Sequence, residues 1–355
     1  MPDWTKSMQQ TYEYYIVDPG TWQDTTLIDT VKSSTINRDF ESETLGSATF
    51  DVTDALGECY IRVYLVTVQN GITEKHPLGT FLVQTPSSSF NGKIRSVSMD
   101  AYTPLLELKE SPPPLGYYIP KNSNIMNESY RITREHLRAP VVKTSCETDL
   151  YNNFVANTDD TWLSFISDLT ANAKYYLDLD EMGRILFSPK QDTASLRPVW
   201  TYTDDNSSIL ASDISMDHDL YGIPNVVEVI YSDDYRNFYA EVVNDDPNSP
   251  TSTVNRGRKI IKRLTNPESI GIPTPSSLEE YAKRALKELS SVDYTITYTH
   301  GYCPVRLGDC VRINYKRAGI TDVKARVISQ SIKCEPGCQV TEKATFTTKL
   351  WGDGI

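Results

Sequence analysis

Both ends of the chain alternate apolar and polar residues with a period of two, the pattern of strands that bury one face. Toward the C-terminus the alternation runs through residues 310–315, from Val323 to Ile332, and through Ala344, Phe346, Thr348 and Leu350. The breaks carry turn chemistry, at Leu307-Gly308-Asp309, Arg317-Ala318-Gly319 and Glu335-Pro336-Gly337, so successive antiparallel strands curling into a small sheet are expected. The first hundred residues read the same way. Leu45 to Val52, Tyr60 to Val68, Gly79 to Gln84 and Lys93 to Tyr102 alternate, with Asn70-Gly71 and Asn91-Gly92 as hairpin turns. This meander ends in a short apolar plug, residues 103–108, and at Ser111-Pro112-Pro113-Pro114, whose stiffness marks a boundary.

Between the two ends the period changes. Trp162, Phe165, Ile166, Leu169 and Ala173 recur at helical spacing behind an N-cap group at Asp159-Asp160-Thr161. A hairpin follows: Tyr175 to Leu179, a turn at residues 180–183, then Arg184 to Ser188. Strand character returns from 201 to 234, notably at 225–231. A second helix carries Leu278, Tyr281, Ala282, Ala285, Leu286 and Leu289 on one stripe, with Ser276-x-x-Glu279 as its capping box and Pro273 and Pro275 just upstream. The expected class is mainly β with α+β insertions. Its divisions are an N-terminal β-barrel over 1–112, a helix-hairpin module over 113–200, a second antiparallel barrel from 201–234 and 292–355, and an insertion over 235–291 with one amphipathic helix.

Length and charge narrow the picture. At 355 residues the chain is too long for one ordinary core. Residues 1–15 lack the layout of a signal peptide and no apolar run reaches the length of a membrane span, so manufacture in a reducing cytosol is expected. The net charge is -12, and residues 144–250 hold 20 acidic against 5 basic side chains. Such a surface does not bind a phosphate backbone through counterion release, so specific nucleic-acid binding is not expected. The basic run at 255–263 reads as a solvated loop or a contact with an acidic neighbour.

Candidate chemistry is sparse. His76, His136, His218 and His300 show no metal-ligand spacing, and Asp217-His218-Asp219 reads as a solvated strand end. No nucleophile elbow, zinc-protease motif or phosphate-cradling loop occurs, and the pairs Asp204-Asp205 and Asp245-Asp246 fall in turns. No catalytic site is expected. Cys303, Cys310, Cys334 and Cys338 flank two chain reversals, so a tetrahedral structural site for Zn2+ or an iron-sulfur cluster is a candidate. Small buried residues, or two local disulfides formed under oxidising conditions, are the alternative.

The order of features resembles the baseplate-hub, or tail-associated hub, proteins of tailed bacteriophages. The residues that carry the resemblance are Leu45 to Asp51 in the first barrel, Gly183 to Phe187 at the end of the hairpin, and Ile223 to Val229 opening the second barrel. The helix at 277–290 and Val305 to Val311 complete it. The resemblance implies two similar barrels of tail-tube type per subunit. Three subunits then place six barrels in a ring that joins a six-fold tail tube to a three-fold tip. It implies a homotrimer and a DNA channel. The implied partners are the distal tail or tail tube protein, the tape measure protein, and a separate spike, tip or fibre protein. It also implies a place in the virion tail tip after assembly in the host cytoplasm. A carbohydrate-binding tail-fibre protein and a cell-wall hydrolase are the competing readings. The first requires exposed aromatic platforms and the second paired carboxylates or a metal triad.

Overall fold

The first hundred residues build a run of antiparallel strands in the computed structural model, which describes residues 2–90, 92, 93, 95–205, 208–233, 235–266 and 274–352. The strands are β1 (Gln9–Val17), β2 (Asp24–Ile28), β3 (Val31–Asp39), β4 (Gly46–Val52), β5 (Tyr60–Gln69), β6 (Ile72–Phe90) and β7 (Arg95–Tyr102). β1 pairs with β2 and β5, β5 with β6, β6 with β7, β7 with β4 and β4 with β3. Inward positions are apolar and closed to solvent: Ile36, Phe50, Val63, Leu65, Val97 and Met99. The sheet curls far enough for β1 to meet β3 across the interior. There the Tyr14 hydroxyl lies 3.0 Å from Ser34 Oγ, and the Tyr14 ring meets Phe50 edge-on. Asn70-Gly71 makes the expected hairpin turn, with both residues at positive φ. Asn91 of the second expected turn lies outside the described residues, as does Pro273.

The apolar plug becomes α1 (Leu106–Lys109), followed by β8 (Tyr118–Ile119), α2 (Ile125–His136), β9 (Phe154–Val155), α3 (Trp162–Asn172), β10 (Tyr175–Leu179) and β11 (Ile185–Pro189). α3 starts where its N-cap group places it, with the Thr161 and Ser164 side chains forming a reciprocal capping box. α2 has no counterpart in the sequence reading, because its buried face is not wholly apolar. Ile125, Met126 and Ile132 share that face with Ser129 and Thr133. These two hydroxyls donate back to Ile125 O and Ser129 O at 2.8 and 2.7 Å, which satisfies them inside the core. One continuous core joins this module to the preceding strands: Leu108, Ile132, Trp162, Phe165 and Ile185 pack with Val17, Trp22, Tyr60 and Leu82.

The chain continues through β12 (Trp200–Thr203), β13 (Leu210–His218), β14 (Val226–Ser232), β15 (Asn237–Val243), α4 (Thr253–Arg256), β16 (Ile261–Thr265) and α5 (Pro275–Leu289). The last strands are β17 (Ser291–Gly301), β18 (Cys310–Tyr315), β19 (Ile320–Lys333) and β20 (Gln339–Lys349). Two compact units result, one of Met1–Ile214 with Thr297–Ala344, the other of Ser215–Ile296 with Thr345–Ile355. This redraws the expected divisions. β14 does not join a second barrel; it is the centre of a three-stranded sheet, antiparallel to β15 and parallel to β16. The reason is packing: Val227 and Val229 bury against Leu278, Ala282 and Leu286 of α5. α5 is capped by Thr274 and Ser277 with Pro275 in the first turn, two residues earlier than the expected Ser276-Glu279 box.

The two strand-rich ends are also not separate sheets. β19 pairs antiparallel with β3, Ile332 opposite Ile36. Among the described residues this yields one thirteen-stranded sheet, ordered β13-β17-β20-β19-β3-β4-β7-β6-β5-β1-β2, with β18 on β19 and β12 on β18. The C-terminal strands curl about their own interior as the N-terminal ones do. Tyr202 on β12 reaches His300 on β17, and the Tyr315 hydroxyl on β18 donates to Ser212 O on β13 at 3.1 Å.

Candidate functional site

Two polar constructions stand out in an otherwise apolar first unit, and they are connected. The first fills the interior of the C-terminal strands. Along β17 and β20 the inward register brings Tyr298, His300 and Glu342 to positions where apolar side chains are expected, and all three are buried. His300 Nε2 lies 3.3 Å from Glu342 Oε1, with both side chains at 0% exposure. His300 Nδ1 faces Gly301 O at 2.6 Å. Both ring nitrogens therefore meet acceptors, the arrangement of an imidazolium. The Glu342 carboxylate also accepts from Tyr298 Oη at 2.7 Å, from Tyr202 Oη at 3.2 Å and from Gln330 Nε2. Burial works against the His300 charge, but its contacts with Cys303 and Glu342 raise it to about 10. Burial likewise opposes ionised Glu342, yet His300 and the phenol and amide donors hold it below the usual carboxylate range. The Tyr202 and Tyr298 hydroxyls are pushed well up by burial and then by the Glu342 charge.

The second construction is the turn between β10 and β11. Its backbone is set by Asp180 and Gly183: Gly183 N donates to Asp180 O at 2.9 Å, with Gly183 at φ +74°. Both strand sets reach into this turn with donors. From the N-terminal strands, Arg62 Nη2 and Trp22 Nε1 donate to Met182 O at 3.1 and 2.8 Å. From the C-terminal strands, Arg306 donates to Leu179 O at 2.7 Å and to Glu181 at 2.8 Å. Arg38 on β3 connects the two constructions. It lies 3.7 Å from Glu181 and donates to Gln330 Oε1 at 3.0 Å. Burial raises Asp178 and Asp309 beside Arg306 above the usual carboxylate range. The cleft between Arg38, Glu181 and Arg306 measures about 50 Å³, room for a few waters.

Gly183 makes this turn testable. A Cβ there would stand 2.8 Å from Thr80 Cβ and 3.1 Å from Trp22 Cζ2, at a left-handed φ. Gly183→Ala is expected to cost about 2–3 kcal/mol, from overpacking plus backbone strain. A denaturant titration checks it: the midpoint should fall with little change in slope.

The four cysteines do not gather. Cys303 is buried 3.4 Å from Tyr202 Oη and 3.9 Å from His300 Nδ1. Cys310 opens β18, its Sγ turned to Val311 O. Cys334 and Cys338 flank the turn that leads from β19 into β20. The physical reason is strand length. Cys310 pairs with Arg326, and Cys334 lies eight residues farther along the same chain, roughly 25 Å at the rise of a strand. Among the described residues no three His, Cys, Asp or Glu side chains are grouped to hold a metal ion. The structure therefore places the four thiols of the Zn2+ or iron-sulfur candidate at separate points rather than around one centre.

The other candidates resolve locally. His218 stacks on Tyr294 at 4.6 Å, and Asp219 accepts from Tyr221 N in a turn. In the basic run, Arg256 caps Ile223 O and Leu220 O, Lys259 pairs with Glu241 and Arg263 with Glu228. Cys303, His300 and Glu342 share the residue types of a hydrolytic triad. The imidazole and carboxylate are sealed from solvent, however, and the nitrogen nearest the thiol faces Gly301 O. Among the described residues no helix is long and apolar enough to cross a membrane.

No protein-family model matches the sequence, and no curated protein matches it. Solved structures do. The chain is similar to the tail protein from Neisseria meningitidis MC58, at 13% identity and a TM-score of 0.64, over 95% of this chain and 97% of that one. It is also similar to the 43 kDa tail protein of prophage MuSo2 from Shewanella oneidensis, at 11% identity and a TM-score of 0.62, over 95% and 98% of the two chains. At such identities the likeness is one of fold, and it runs nearly from end to end.

Proposed function

We propose that this chain, whose fold is that of two tail proteins, is a non-enzymatic structural hub of a phage or phage-like tail tip. Three copies form a ring between the tail tube or distal tail protein on one side and a separate spike, tip or fibre protein on the other. The tape measure protein is a neighbour during assembly in the host cytoplasm. The observation that carries this reading is the pairing of β3 with β19. It joins two curled strand sets in one chain, so three chains offer six such sets around an axis. The polar constructions serve rigidity: they lock both strand sets to one turn, as a part that must match a neighbour of higher symmetry requires. An acidic ring leaves DNA free to pass without adhering.

The test is a copy count. Native mass spectrometry or symmetry-free imaging of tails carrying this chain is expected to find three copies in a ring at the tip. Six copies, or a position away from the tip, would overturn the hub.

A further inference from the structure

We propose that Cys334 and Cys338 form a latent disulfide, a modification site that closes the β19–β20 hairpin in oxidising surroundings. Glu335, Pro336 and Gly337 form a tight turn between them: Cys338 N donates to Glu335 O at 2.9 Å, and Gly337 sits at φ +95°. Cys334 N continues the ladder to Ser34 O at 2.9 Å. Both thiols point inward, at 4% and 0% exposure, whereas the three residues between them are exposed. Both also neighbour the same pair of rings on β1. The Tyr12 and Tyr14 hydroxyls are pushed up by burial and, further, by the nearby Cys334 and Cys338 sulfurs. As the two inward residues at the ends of one tight turn, Cys334 and Cys338 face the same interior. The second pair of the alternative reading lacks this geometry, since Cys303 faces Tyr202 and His300 while Cys310 turns to Val311 O.

The same burial controls the timing. It pushes Cys334 up to about 12 and Cys338 up to about 11, so the closed turn keeps both thiols protonated and unreactive. Reaction requires the turn to lift, and it is tied down by the Tyr12 hydroxyl, which donates to Glu335 O at 2.7 Å. With oxidised glutathione as oxidant, one thiolate attacks the glutathione disulfide and expels one glutathione thiolate. The second cysteine thiolate then attacks the mixed disulfide and expels the other. Two protein thiols lose two protons and two electrons, and one glutathione disulfide becomes two glutathiones. In a reducing cytosol the pair stays open.

The full chain, purified reduced, is incubated with oxidised glutathione at pH 8, quenched with a maleimide after denaturation, digested and mapped. The expected product links Cys334 to Cys338 and leaves Cys303 and Cys310 alkylated. Tyr12→Phe is expected to raise the rate of linkage about fivefold, the effect of removing one hydrogen bond that holds the turn closed. The proposal is overturned if Cys334 and Cys338 remain alkylated while the half-buried Cys59 and Cys146 take up glutathione. It is also overturned if Cys303–Cys310 is the bond that forms. An unchanged rate in Tyr12→Phe removes the turn as the gate.

Discussion

Replacing Glu342 with Ala is expected to destabilise the first unit by about 3–5 kcal/mol, which lowers its unfolding temperature by about 10 °C. The effect is large because the carboxylate is the shared acceptor of four groups, His300, Tyr298, Tyr202 and Gln330. Its removal strands their donors in a buried interior. Glu342→Gln keeps the shape and one acceptor oxygen, so it should cost less. Calorimetry of both variants checks the ranking, and a loss below about 1 kcal/mol for the Ala variant would contradict the network.

The same pair makes stability depend on pH with a defined sign. His300 is raised on folding from its ordinary 6.5 to about 10. Its contribution is complete below pH 6.5 and disappears as pH rises toward 10. Glu342 is lowered on folding, so its contribution is present above its ordinary 4.5 and is lost in acid. The wild-type chain should therefore lose stability between pH 7 and 10 relative to Glu342→Gln, in which the imidazole has no anion to hold its proton. Equal slopes for the two proteins over that range would mean that His300 is not an imidazolium.

How legible these features are depends on the phase of the residues along each strand. The alternation at 45–52 and 310–315 became β4 and β18 because one face of each strand is the more buried, and period two reports that directly; 60–68 became β5 although residues on both of its faces are buried. The helix at 162 was visible through its cap and its apolar stripe; α2 was not, because Ser129 and Thr133 occupy its buried face. The partners of a strand are a different matter. Nothing in 226–232 distinguishes a barrel strand from the centre of an α/β layer, and only the Leu278, Ala282 and Leu286 stripe decides it. The polar constructions did leave a trace: Arg62, Gln330 and Glu342 fall in phase with apolar neighbours on their strands, which marks a charge or amide turned inward. Their partners, Met182, Arg38 and His300, are 120, 292 and 42 residues away, beyond any local pattern. The spread of the cysteines is hidden for a related reason: Cys310 stands opposite Arg326, eight residues before Cys334 along the chain, a register that no local pattern reports.

Arg62 is the residue whose loss should most loosen the turn that both strand sets share. Its guanidinium is 1% exposed and fully engaged, with Asp24 Oδ1 at 2.6 Å, Thr80 Oγ1 at 2.9 Å, Met182 O at 3.1 Å and Trp22 O at 3.4 Å. Arg62→Ala removes the only positive charge in these four contacts and leaves a cavity the length of the side chain, for an expected loss of about 3–5 kcal/mol. Asp24→Ala should cost less, since Asp24 is 28% exposed and water can replace it at the rim. Hydrogen exchange separates a local loosening from general destabilisation. In Arg62→Ala the Gly183 amide, bonded to Asp180 O within the turn, should exchange faster than amides of β19, whereas in Glu342→Ala the β19 and β20 amides should be affected first. If the hub reading holds, Arg62→Ala protein that still folds will assemble tails poorly, because the module and the strands then move independently. Uniform acceleration of all amides in both variants would mean that the turn is not a separate point of control.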